Sequence, residues 1–258
     1  MHRMLPRLAL LSTMSVALLA GCAGSGTRSA AQTTTDAQRA AAVNLELGQG
    51  YMQRGDNKIA LEKLQSAIRL DPNSAAAHTV IAVLYERLGL QEKAEQNFRR
   101  SVELAPEDGE MLNNFGAHLC RRGLFTEADA VFQQALKDPF YPTPAALLGN
   151  AGSCALDAGD RQRAAGYFRQ ALQKNPRQPQ SLYQLAMIEL EGGNALSARA
   201  FIQRYEAVAP VSPQMLELGE RIESALGDRK AAEHYRDRLR TEFPDHQPTT
   251  TSGGATSP

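Results

Sequence analysis

The residues able to do chemistry in this chain are three cysteines, five histidines and an ordinary complement of acids. His2, His78, His118, His234 and His246 are scattered, with no HExxH spacing and no paired cysteines beside them, so no metal site is expected. No glycine-rich loop is placed to cradle a phosphate, and no nucleophile has a base beside it. Glu86, Asp157 and Glu189 belong to an abundance of acids typical of solvated helical faces. No catalytic residue, cofactor or small-molecule substrate is therefore expected. The cysteines differ. Cys22 directly follows Leu19-Ala20-Gly21 and an apolar stretch, whereas Cys120 and Cys154 form an even pair far into the body of the chain.

Arg3 and Arg7 give the chain a positive start, and from Leu8 to Ala20 no residue is charged. That run is too short for the roughly 20 residues that cross a bilayer, and reads as a signal-peptide core. Leu19-Ala20-Gly21-Cys22 resembles the bacterial lipobox, in which the cysteine is acylated before cleavage, so residues 1–21 are expected to be removed. Three acyl chains on Cys22 exceed the two signals needed for stable anchoring. Ala23 and Gly24 stand where an aspartate would suggest inner-membrane retention, so the sorting rule favours the outer membrane with the body in the periplasm. In that oxidising compartment Cys120 and Cys154 either close a disulfide or remain two small buried thiols.

The charges balance at 28 basic and 28 acidic residues, which leaves no basic footprint for nucleic acid. Tryptophan is absent and Ala and Leu are prominent, a composition that leans towards helix. Residues 22–40, small and polar after the cysteine, read as a flexible tether, and residues 247–258, rich in Thr, Ser, Gly and Pro, as a disordered tail.

Between these ends the sequence repeats. Gly55, Gly89, Gly123, Gly159, Gly193 and Gly227 lie 34, 34, 36, 34 and 34 residues apart, and Pro72, Pro106, Pro142, Pro176, Pro210 and Pro244 follow the same rhythm. A period of 34 is the tetratricopeptide (TPR) signature. It predicts an all-α, right-handed superhelical solenoid of six helix-turn-helix repeats: 41–74, 75–108, 109–144, 145–178, 179–212 and 213–246. An alanine stands five residues after each turn glycine, at Ala60, Ala94, Ala128, Ala164, Ala198 and Ala232. Gly48, Ala82, Gly116, Gly152 and Ala186 supply the matching small site on the first helix, which lets the two helices approach closely. Leu47, Tyr51, Ile81 and Tyr85, with Leu64, Phe98, Phe132, Phe168 and Ile202, are expected as core. In the last repeat Glu220 stands at the small site and Arg236 at the aromatic site, which reads as a polar cap. The third repeat carries two extra residues in the proline-rich corner 137–144, where Phe140 and Tyr141 either plug the corner or meet a partner. Cys120 and Cys154 fall on first helices of neighbouring repeats.

NNFGAHLC at Asn113–Cys120, DPFYPTP at Asp138–Pro144 and NAGSCALDAGD at Asn150–Asp160, together with the lipobox, resemble the type IV pilus biogenesis and stability lipoproteins called PilF or PilW. The resemblance covers nearly all of the mature chain. It implies a pilotin that binds secretin subunits of the pilus and promotes their outer-membrane localisation and multimerisation. A general envelope adaptor recruiting peptidoglycan enzymes is the competing reading. In this fold the first helices line the concave side, so the expected partner groove comprises Gln49, Met52, Gln53, Thr79, Val83, Glu86, Arg87, Asn113, Ala117 and Arg121. Asn114 and Asn150 occupy equivalent places, where they would either hydrogen-bond a peptide backbone or serve local structure.

Overall fold

The computed structural model describes residues 30–246, with side chains from residue 35; the expected signal peptide, the acylation site Cys22 and the tail from 247 lie outside them. The described residues form twelve helices and no strand. These are α1 (Ala30–Arg54), α2 (Asn57–Leu70), α3 (Ala75–Arg87), α4 (Gln91–Leu104), α5 (Gly109–Arg121) and α6 (Phe125–Ala135), followed by α7 (Pro144–Asp157), α8 (Arg161–Lys174), α9 (Pro179–Glu191), α10 (Ala195–Glu206), α11 (Pro213–Ala225) and α12 (Arg229–Glu242). Consecutive pairs make six hairpins, and each second helix also packs on the first helix of the next hairpin. Contacts stay between neighbours, which is the hallmark of a solenoid.

Local chemistry sets the helix ends. Each turn glycine, such as Gly123 at φ +74, is in the left-handed region that ends the first helix of its hairpin. Ser74, Asp108 and Asp160 accept hydrogen bonds from free amides at the starts of α3, α5 and α8, while Pro144, Pro179 and Pro213 sit at helix starts where no amide is needed.

The interior is a ladder of small sites facing large side chains. A methyl group added to Gly116 would lie 2.8 Å from Phe132, and one on Gly152 2.7 Å from Phe168. Phe98, Phe132 and Phe168 are wholly buried, as are all six alanines that follow the turn glycines. Phe98 and Phe115 belong to one apolar core that runs from Met52 to Leu185, and a second core joins the last two repeats.

Three expectations need correction. The tether predicted over 22–40 does not extend to Ala40: α1 already begins at Ala30. Extending a helix that packing has nucleated requires no further nucleus, so Ala, Gln and Arg continue it without burying apolar area. Second, Leu47 is 43% exposed whereas its counterpart Ile81 is 2% exposed, because no earlier hairpin covers α1. Third, the small site of the last repeat is Gly219, not Glu220, and its aromatic is Tyr235, not Arg236. A Cβ on Gly219 would lie 2.6 Å from the Tyr235 ring. Both partners slide by one residue together, so the packing survives while Glu220 and Arg236 form an ion pair of 3.6 Å. The sixth unit therefore packs internally as its predecessors do.

At the corner the two aromatics divide the roles that the sequence left open. Tyr141 packs against Leu112, Ala135 and Leu147, closing the gap between α5 and α7. Phe140 is 90% exposed. Asp138 fixes this arrangement by accepting hydrogen bonds from the amides of Gly109 at 2.9 Å and Phe140 at 2.8 Å. Those two bonds hold its carboxyl below the ordinary aspartate value.

Candidate functional site

First helices of successive hairpins touch one another, α1 with α3, α3 with α5, α5 with α7 and α9 with α11, and so line the inner side of the stack. Of the twelve expected groove residues, Gln49, Gln53, Arg87 and Arg121 are exposed, and Val83, Glu86, Asn113, Asn114, Ala117 and Asn150 are half-buried.

Met52 and Thr79 are not groove residues. Met52 is buried in the core, and only its carbonyl is engaged, by Arg87 Nη1 at 2.6 Å. Thr79 is buried too; its hydroxyl lies 2.6 Å from Ser101 Oγ and 2.9 Å from Met111 Sδ. Ser101 in turn donates to the Ala75 carbonyl, so this cluster fastens α3 to α4 and α5. A short hydroxyl side chain suits such a site because it satisfies its own polarity within reach of the backbone.

Glu86 is a junction. His118 Nδ1 lies 2.6 Å from its Oε1, and Arg121 Nη2 donates to Oε2 at 2.5 Å, which ties α3 to α5. Burial pushes the Glu86 carboxyl up, but hydrogen bonds from His118 and Arg121 outweigh it and hold the group below its ordinary value. The His118 ring is fully buried, with its centroid 4.9 Å from that of Phe98. Arg87 and Arg121 thus brace neighbouring repeats while remaining exposed.

The asparagines also divide. Asn150 donates to Asn113 Oδ1 at 3.1 Å, bridging α5 and α7 across the groove floor. Asn114 donates to the Glu110 carbonyl one turn back in its own helix at 2.9 Å. Asn114 and Asn150 share a register position but not a role, and Asn114 is committed locally. Beside the bridge, Cys120 and Cys154 are paired as a disulfide, with Cα atoms 5.6 Å apart.

Towards the other end the inner face opens into a cleft of about 530 Å³ that the groove expectation omitted. Tyr183, Met187 and Leu218 line it, with Arg221 and Glu217 at its edge. Tyr183 and Met187 sit at the same places in the fifth repeat as Thr79 and Val83 in the second, so carrying the period past the third repeat would have found them. The Tyr183 and Tyr205 rings approach to 5.7 Å between centroids. Burial pushes the Tyr183 phenol above its ordinary value.

Among the described residues no group of His, Cys, Asp or Glu side chains could hold a metal ion, and no helix is long and apolar enough to cross a membrane. A curved floor with polar edges and apolar patches suits the grip of a protein segment.

Comparison with known proteins places this geometry. Residues 45–109 and 155–222 each match a family described as tetratricopeptide repeat. Over 238 residues, 92% of this chain and 94% of the relative, the sequence is 27% identical to the type IV pilus assembly protein PilF of Pseudomonas aeruginosa. The crystal structure of PilW, described as a widely conserved type IV pilus biogenesis factor, superposes with a TM-score of 0.73 at 31% identity, covering 80% of this chain and 95% of that one. The structure of Pseudomonas aeruginosa PilF superposes with a TM-score of 0.74 at 26% identity, covering 82% of this chain and 95% of that one.

Proposed function

From the premise that this chain belongs to the PilF/PilW family of tetratricopeptide proteins of type IV pilus biogenesis, we propose an acylated outer-membrane scaffold that binds secretin subunits. The scaffold holds them along its inner face and promotes their localisation and assembly into multimers. The likeness to pilus biogenesis proteins over almost the whole chain carries this reading, since isolated repeats occur in many unrelated settings. Cys22, directly behind Leu19-Ala20-Gly21, supports the lipid anchor. A membrane-tethered scaffold raises the local concentration of its cargo and so promotes assembly without chemistry of its own. The exposed side chains of Gln49 and Gln53, with half-buried Val83 and Ala117 and the cleft around Met187, supply the contact surface.

A deletion strain complemented in turn with wild type, Cys22→Ser and Val83→Glu tests the reading, scored by surface pili and by detergent-resistant secretin multimers. Complementation by wild type alone is the expected result. Normal pili and normal multimers in the uncomplemented strain would end the proposal.

A further inference from the structure

The corner between α6 and α7 is built to present Phe140. Prolines at 139, 142 and 144 restrict the backbone, Tyr141 is sunk among Leu112, Ala135 and Leu147, and both Asp138 oxygens accept backbone amides. Phe140 is thereby held 90% exposed on a well-fastened loop. No other inter-repeat corner has this form: those carry Asn73, Glu107, Arg177, Val211 and Asp245 after their prolines.

The surroundings of Phe140 narrow what it meets. Pro139, Pro142 and Thr143, all exposed, give the tip no charge, and the Asp138 carboxylate is turned inward to the backbone. Lys137 is exposed beside the tip, and Glu107, Asp108 and Glu110 are exposed around Gly109, whose amide Asp138 binds, so charges of both signs ring an uncharged apolar point. An uncharged tip of Phe140 and prolines ringed by charged side chains fits the lipid–water interface, where the apolar point enters and the charges stay in water. Position agrees. Asp138 binds the first amide of α5, so the corner lies at the edge where first helices begin, and α1 projects from that edge by roughly 16 Å between Ala30 and Ala41. The stretch from Cys22 to Ala30 spans at most roughly 27 Å when fully extended, so the anchor keeps that edge within reach of the membrane.

We propose that Phe140 inserts into the lipid interface and acts as a second, non-covalent contact that orients the stack on the membrane. This rests on the lipid anchor of the proposed function. A tether alone leaves the protein free to rotate about one point. A second contact at the corner that closes the third repeat selects one presentation of the groove, and the charged neighbouring corners keep the contact to a single point.

The chain contains no tryptophan, so Phe140→Trp introduces a unique reporter. The full acylated variant is reconstituted on vesicles of phosphatidylethanolamine and phosphatidylglycerol. Its emission should move to shorter wavelength and be quenched by brominated lipid tails, whereas Leu124→Trp, at the opposite edge, should retain water-like emission without quenching. Phe140→Trp protein that floats with vesicles yet stays water-like and unquenched would overturn the membrane contact and leave the anchor standing. Failure to float would overturn both. A shift that appears only on adding purified secretin would assign the tip to a protein pocket and overturn the lipid assignment.

Discussion

At Glu86 the balance of burial against hydrogen bonds from His118 and Arg121 sets a sign that can be measured. The folded carboxyl titrates below its ordinary value of 4.5, so its contribution to stability is fully present above that value and is lost as the pH falls through the folded one. The melting temperature of wild type should fall more steeply below pH 4.5 than that of Glu86→Gln, which keeps hydrogen-bonding capacity without the charge. Parallel melting curves across that window would remove Glu86 as the coupling between α3 and α5. The slipped pair in the last repeat gives a second contrast. Tyr235→Ala should cost about 3 kcal/mol in urea unfolding, as large-to-small core changes do, while Arg236→Ala should cost less than about 0.5 kcal/mol. The reverse order would restore the register read from the sequence.

Among elements, the hairpins were legible because their signals are local and repeated: a left-handed glycine, an alanine five residues on and a proline at each corner. What stayed hidden depends on neighbours one period away. Thr79 looks like a groove residue until Ser101 and Met111 close over it, and the Asn113 to Asn150 bridge joins positions of different register. The division of Phe140 from Tyr141 was equally unreadable, since adjacent aromatics differ only in which way the corner turns them. Close approach within a hairpin makes Gly116→Ala a sensitive probe: the added methyl meets the Phe132 ring and should destabilise by about 1–3 kcal/mol in chemical denaturation. Adding Phe132→Leu should recover part of that loss, and a purely additive double variant would refute the contact. Between hairpins, reduction of Cys120 and Cys154 should lower stability by about 3–4 kcal/mol on the chain-entropy argument. Intact mass without reductant checks the bond itself, and two alkylatable thiols in native material would exclude it.

For the whole molecule, contacts confined to adjacent hairpins mean that stability is shared unevenly along the stack. Hydrogen exchange should be fastest in the projecting start of α1 and in α12, and slowest in α5 to α8, where neighbours exist on both sides. Uniform protection along the chain would contradict this gradient. The period alone conveyed the number of hairpins and their order. It did not convey that the two ends differ, one presenting exposed Val43 and Leu47 and the other an ion-paired surface, because end effects break the symmetry that the repeat advertises.

A coil held by neighbour contacts alone behaves as a spring whose pitch every turn shares. The sulfur link between α5 and α7 welds the middle turns, so compliance is left to the two arms on either side. Such a body can open or tighten its arms around cargo of different girth while its centre keeps a fixed gauge, and that gauge is set when the thiols are oxidised.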